Sequence, residues 1–177
     1  VIDAWRNQVD QVLIRKNVGR DLAAARDALN FVMTRNSDLI HVAISNNSIL
    51  WLPKNMENFV KSVSALNAPI FAATDSHSPI THIQTFFFGA NLAGIEDLRD
   101  ELNKIRNTRL RRSAVLFGEL QLSVNLRKAK KNIKAIFSYS ELIAGLSVAA
   151  SKSLALNDFT RARRAVVATA DSRGYGL

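Results

Sequence analysis

Apolar residues recur at helical spacing along most of this sequence, and that periodicity constrains the fold more than any motif does. Ile2, Trp5, Val9, Val12 and Leu13 fall on one helical face. After a break at Val18-Gly19, so do Leu22, Ala25, Leu29 and Val32. A period of about 3.6 residues means that each segment buries one stripe and wets the other. Met56, Phe59, Val60, Val63 and Leu66 repeat the pattern as a short helix, and Leu92, Ile95, Leu98, Leu102 and Ile105 repeat it again. In that last segment Asp100 and Lys104 stand four apart, in the order that favours an ion pair.

The period changes in two places. Ile40, Val42 and Ile44 alternate, then Asn46-Asn47 precedes Ser48-Ile-Leu-Trp-Leu52. Asn tolerates positive φ, so residues 39–52 read as a β-hairpin that Pro53 ends. Leu120 to Leu126 also alternates, but Leu122, Leu126, Ala129, Ile133 and Ile136 continue at helical spacing, which favours helix there. Residues 67–91 read as a loop-rich middle between Pro69 and Pro79, with Ile83 to Phe88 as a buried strand or the start of a helix. Near the end, Ser138-Tyr-Ser-Glu141 has capping-box spacing, and Asn157-Asp158 would cap a helix carrying Phe159, Ala162, Val166 and Ala170. The expectation is a mainly α, single-domain helix bundle over residues 1–177 with a small β-hairpin near 39–52. The alternative is an α+β fold with a strand at 119–126. A chain of 177 residues with 47% hydrophobic content suffices for one well-buried core.

Charge divides this domain into two halves. Residues 1–95, the near-neutral half, carry 8 Lys and Arg against 7 Asp and Glu; in the basic half, 96–177, residues 96–134 carry 11 against 5 and residues 135–177 carry 5 against 3, giving a formal net charge of +9. A local excess of cations draws polyanions. Three clusters hold it: Arg106, Arg109, Arg111 and Arg112; Arg127, Lys128, Lys130, Lys131 and Lys134; and Arg161, Arg163 and Arg164. Read as a helix, Leu126 to Phe137 puts Leu126, Ala129, Ile133, Ile136 and Phe137 on one face. Arg127, Lys130, Lys131 and Lys134 fall on the other, with Lys128 at its edge. Such a face can run along a phosphate backbone and release counterions, although an ordinary solvated helix face has the same composition. Only Phe117, Phe137 and Tyr139 lie near the cations, too few for stacking on bases, so backbone contact with little base reading is expected.

Several chemistries are excluded or unsupported. The sequence has no cysteine, which removes disulfides, thiolate zinc sites and cysteine nucleophiles. No apolar run approaches the roughly 20 residues of a membrane helix. The opening Val-Ile-Asp-Ala-Trp-Arg lacks the pattern of a secretory signal, so a reducing compartment or a virion is the expected setting. Gly89 to Gly94 has the glycine spacing of a phosphate loop, but Ile95-Glu96 follows where Lys-Ser/Thr is required. Asn46-Asn47-Ser48 is a glycosylation sequon by letter only, and Trp5 and Trp51 sit on apolar stripes as core residues. Asp75, His77 and His82 are the one candidate metal or acid–base cluster, and their spacing matches no ligand pattern. No metal, cofactor or catalytic residue is therefore expected. The function expected from the sequence is a non-enzymatic, coat- or nucleocapsid-like structural protein that binds nucleic-acid backbone and forms a homo-oligomer or larger assembly. The alternative is an adaptor or structural subunit whose basic surface meets an acidic protein partner.

Overall fold

The computed structural model describes residues 9–16, 18–36, 38–46, 53–108, 110–141 and 143–144. It is an α+β fold built on a mixed five-stranded sheet, not a helix bundle. In chain order the elements are α1 (Arg20–Met33), β1 (His41–Ser45), α2 (Pro53–Ala65), β2 (Ile70–Ser76), β3 (His82–Ile83), β4 (Phe87–Asn91) and α3 (Ile95–Asn103). A helical run then comprises α4 (Arg111–Ala114), a π-helical turn (Val115–Leu120) and α5 (Gln121–Lys128), before β5 (Ile133–Phe137).

The sheet grows from β2, which lies in the stretch that reads as loop-rich. Ile70-Phe-Ala-Ala is buried on both faces, as expected of a short continuous apolar run in a central strand. β5 runs parallel along one edge of β2, with Ile70 opposite Ile133 and Thr74 opposite Phe137. β4 and then β3 run antiparallel along the other edge. The pairing slips by two residues between Ile70–Ala90 and Asp75–Ile83; the Gln84 N–H still donates to the Thr74 carbonyl at 3.0 Å, and Thr85 and Phe86 bulge from the ladder. β1 pairs antiparallel with β4 from His41–Asn91 to Ser45–Phe87. Its partner is therefore distant in sequence, and the expected local hairpin partner, residues 47–52, lies outside the described residues. His41 is exposed, on the wet side of its strand.

Side-chain alternation along β2 and β4 divides the core. Ile70, Ala72, Phe88 and Ala90 meet Leu22, Ala25 and Leu29 of α1, Leu98 and Leu102 of α3, and Leu122 and Leu126 of α5. Phe71, Ala73 and Phe87 face the other way, where Phe59, Val63 and Leu66 of α2 and its exit cover them. The Phe59 and Phe87 rings meet edge to face at 4.9 Å. Each fully buried leucine or phenylalanine contributes about 1.5–3 kcal/mol by leaving water.

Helical spacing matches most of the stripes of α1, α3 and α5 and the Phe59 and Val63 positions of α2, although Val60 is exposed, and it fails at two ends. Residues 9–16 form no regular element, and Val9, Val12 and Leu13 are exposed; residues 1–8 lie outside the described residues. At the other end, α5 stops at Lys128. Lys130 takes a left-handed φ of 56°, the Lys131 N–H donates to the Leu126 carbonyl at 2.9 Å, and the Lys130 N–H donates to the Arg127 carbonyl at 2.8 Å. These two bonds are the Schellman termination of a helix, made here by lysine in the place glycine usually takes. Residues 133–137 are then free to extend as β5. The strand alternative at 119–126 is overturned as well, because those residues are helical.

Candidate functional site

The predicted basic helical face does not form. Arg127 and Lys128 end α5, Lys130 and Lys131 sit in the turn, and Lys134 lies on β5. Their partners lie on different elements. The Arg127 guanidinium donates to the Thr81 carbonyl beside β3, Lys131 pairs with Asp97 on α3 at 2.9 Å, and Lys134 Nζ donates to the Leu66 carbonyl at 3.3 Å. Lys128 and Lys130 are exposed in the turn itself. Arg111 and Arg112 open α4, and Arg106 is exposed beyond α3. Arg109, Arg161, Arg163 and Arg164 lie outside the described residues. The helix bundle and the cationic helical face expected at Leu126 to Phe137 are both absent among the described residues.

The structure brings together a different set of residues. A cleft of about 150 Å³ opens between the start of α1, the π-helical turn and the chain leaving α3, with Arg20, Asp21, Thr85, Arg106, Thr108 and Glu119 among its lining residues. Gly19 makes the entry to α1 possible. Its φ is +81°, and a Cβ there would stand 2.4 Å from the Ala23 Cβ and 2.6 Å from the Asn107 Oδ1. Only glycine fits both the conformation and the space. An ion-pair network anchors this corner. Arg15 and Arg26 hold Asp27 at 2.8 and 3.0 Å, Arg15 reaches the Val18 carbonyl, and Arg26 reaches Asn107. Burial opposes charge on Asp27, but the two guanidinium bonds outweigh it and hold its carboxyl below the usual value of 3.8.

One wall of the cleft is held by a buried acid–base pair. His82 is 5% exposed, and its Nε2 lies 3.1 Å from Glu119 Oε1. Its Nδ1 is 2.7 Å from the Ile80 carbonyl oxygen, which can only accept. Nδ1 therefore carries a proton, and the carboxylate opposite Nε2 favours a proton there too. Burial lowers the imidazole pKa, but the bonds to Glu119 and Ile80 outweigh it, and the net direction is upward from 6.5. Glu119 moves the opposite way. Burial would raise its pKa, yet the bonds from His82 and Thr85 bring it below 4.5. The Thr85 hydroxyl donates to Glu119 Oε2 at 2.6 Å, and the Thr85 N–H points to the same oxygen at 3.4 Å. The bulge between β3 and β4 aims Thr85 at the helix, and the π-helical turn brings Glu119 to the sheet; both irregularities are frequent at functional sites.

The Asp75–His77–His82 cluster read from the sequence is thus split. His82 turns to Glu119, while Asp75 accepts the Tyr139 N–H at 2.6 Å and stands 3.9 Å from His77 Nε2. Ser140 Oγ lies 3.4 Å from that same Nε2. A nucleophilic triad needs serine and carboxylate on opposite ring nitrogens, so this trio is not one. Among the described residues there is no group of three or more potential metal ligands, and no helix is long and apolar enough to cross a membrane. Glu119 and Thr85 escaped the sequence reading because a lone acid 37 positions from a histidine carries no spacing signal. No family model matches this chain, and no curated protein or solved structure matches it either.

Proposed function

We propose that this chain is a non-enzymatic binding domain whose cleft at the start of α1 takes a small polar ligand, or one polar group of a larger one. The observation that carries this reading is the Thr85–Glu119–His82 network, which holds one wall of the cleft from two sides. Convergent polar groups beside a perturbed acid–base pair are the usual marks of a ligand site. The volume suits a group and not a whole cofactor, since sites for drug-sized ligands run to about 300–1,000 Å³. Binding is favoured over catalysis because both nitrogens of His82 and both oxygens of Glu119 are already engaged. A general base needs a free lone pair aimed at substrate.

A second reading keeps the charge argument in a smaller form. Lys128 and Lys130 stand exposed beside Arg127, and none of the three forms an ion pair with a described acid. The turn at 127–130 would then contact a phosphate backbone or an acidic protein surface, with affinity that falls steeply as salt rises. One amide NMR titration separates the two readings. Small anions and polyols added to the labelled protein are expected to shift Thr85, Thr108, Gly118 and Glu119 with saturation. Shifts confined to residues 127–134, or no shifts at all, would overturn the cleft reading.

A further inference from the structure

We infer that the apolar ridge of Leu110, Val115, Leu116 and Phe117 docks on an anionic phospholipid surface, with the arginines of residues 106–112 beside it to meet the headgroups. This role lies beyond the binding cleft and does not depend on it. Single exposed apolar side chains are common on folded proteins, but a contiguous group marks a contact site. Within residues 110–117, Leu110 is 70% exposed, Leu116 52% and Phe117 54%, with Val115 exposed between them. The local fold explains why they face outward. Leu120, Leu122 and Leu126 of the same helical run are buried on its inner side. Gly118 is buried too, and a Cβ there would stand 2.7 Å from the Leu22 Cδ1, so the backbone itself lies against α1. The π-helical turn holds one residue more than an α-helical turn, which takes Val115 to Phe117 out of register with the buried stripe.

Charge identifies the partner. Residues 105–118 contain Arg106, Arg109, Arg111 and Arg112 and no Asp or Glu. Arg106 is exposed, and Arg111 and Arg112 open α4, which leads directly into the ridge. The acids lining the cleft behind it are Asp21 and Glu119, and Glu119 is already held by His82 and Thr85. A second copy seated on the ridge would set these arginines against their own kind. A nucleic-acid backbone would meet the arginines but leave the aliphatic side chains in water. A groove on a protein receives one helical stripe at three- and four-residue spacing, whereas three consecutive residues fan around the axis. A bilayer surface accommodates such a fan, because its acyl boundary is fluid and its anionic headgroups lie at the level of the flanking cations.

The chain has no cysteine, so Leu116→Cys carries a single polarity-sensitive dye. The intact protein is titrated with vesicles of equal parts phosphatidylcholine and phosphatidylserine, and with vesicles of phosphatidylcholine alone. The dye is expected to shift to the blue, and the protein to float, with the anionic vesicles only. In unlabelled protein, Leu116→Ser combined with Phe117→Ser should weaken flotation by about tenfold or more. Arg106→Gln should weaken it by about fivefold. Leu92→Ser, an exposed position at the opposite end of α3 from Arg106, should change nothing. All four positions are exposed, so these substitutions leave the core intact. Equal binding to both vesicles, binding to neither, or unchanged flotation of the Leu116 and Phe117 variant overturns the inference. A dye that responds to polyglutamate or RNA and not to anionic vesicles overturns it in favour of an acidic protein or a nucleic acid. A dye shielded without vesicles overturns it as well: release on dilution makes a second copy the occupant, and shielding at every dilution makes it another stretch of this chain.

Discussion

His82 and Glu119 form a pair whose charges depend on each other, and that dependence sets a pH signature. His82 has a folded pKa above its unfolded value of 6.5, so its stabilisation is complete below 6.5 and is lost as pH rises through the raised value. Glu119 has a folded pKa below its unfolded value of 4.5, so its contribution is complete above 4.5 and is lost as pH falls through the lowered value. Both contributions are whole between 4.5 and 6.5. Chemical denaturation across pH should therefore place this pair's share of stability in that window. Glu119→Gln should remove the alkaline-side slope that the pair causes and cost about 1–3 kcal/mol, because His82 loses its charged partner while it stays buried. A Glu119→Gln protein that keeps the same slope above pH 6.5 would show that other groups set it. The pH profile is also a residue-scale readout that a purely steric role for Glu119 would leave untouched.

Among the elements, the helical run from Arg111 to Lys128 shows how a pattern can be right about a stripe and wrong about its length. Leu122 and Leu126 are fully buried, as their spacing predicts, whereas Ala129 and Phe137, assigned to the same stripe, are exposed. The wheel continues past Lys128 because Arg127-Lys-Ala-Lys-Lys holds no glycine, asparagine or proline, and its cations suit a helix end and a helix face alike. The signal that does end it, a left-handed lysine, is a conformation and not a residue type. Similarly, Lys104 is tied to Glu101 at 2.6 Å and not to Asp100, which Arg99 takes. Leu92 repeats the lesson at the start of α3, since it lies on the predicted stripe yet is 67% exposed. Leu122→Ala should therefore cost about 2–5 kcal/mol in urea unfolding, whereas Leu92→Ala should fall within about 0.5 kcal/mol of the parent. Comparable losses from the two substitutions would contradict the packing described for α3 and α5.

At the scale of the whole molecule, β2 is the strand on which the layers depend. It pairs with β3, β4 and β5 and buries side chains toward helices on both faces. Its amides at Phe71 to Ala73 should be the slowest in native-state hydrogen exchange, opening only with global unfolding, whereas those of residues 9–16 should exchange fastest. Faster exchange in β2 than in α1 would show that the sheet opens as a separate unit. The sequence by itself determined which faces of α1, α2, α3 and α5 are apolar. It also showed the absence of cysteine chemistry and an excess of cations past the midpoint. Those properties are local or compositional, and they are legible because a helix stripe depends only on neighbours three or four residues away. The tertiary structure alone decided that β1 pairs with β4 and that a run between two prolines is the central strand. It also split the five cations of 127–134 between a helix end, a turn and a strand, and it brought Glu119 to His82 beside Arg106. Each of those outcomes depends on contacts between residues far apart in the chain, and long-range pairing leaves no periodic trace in sequence.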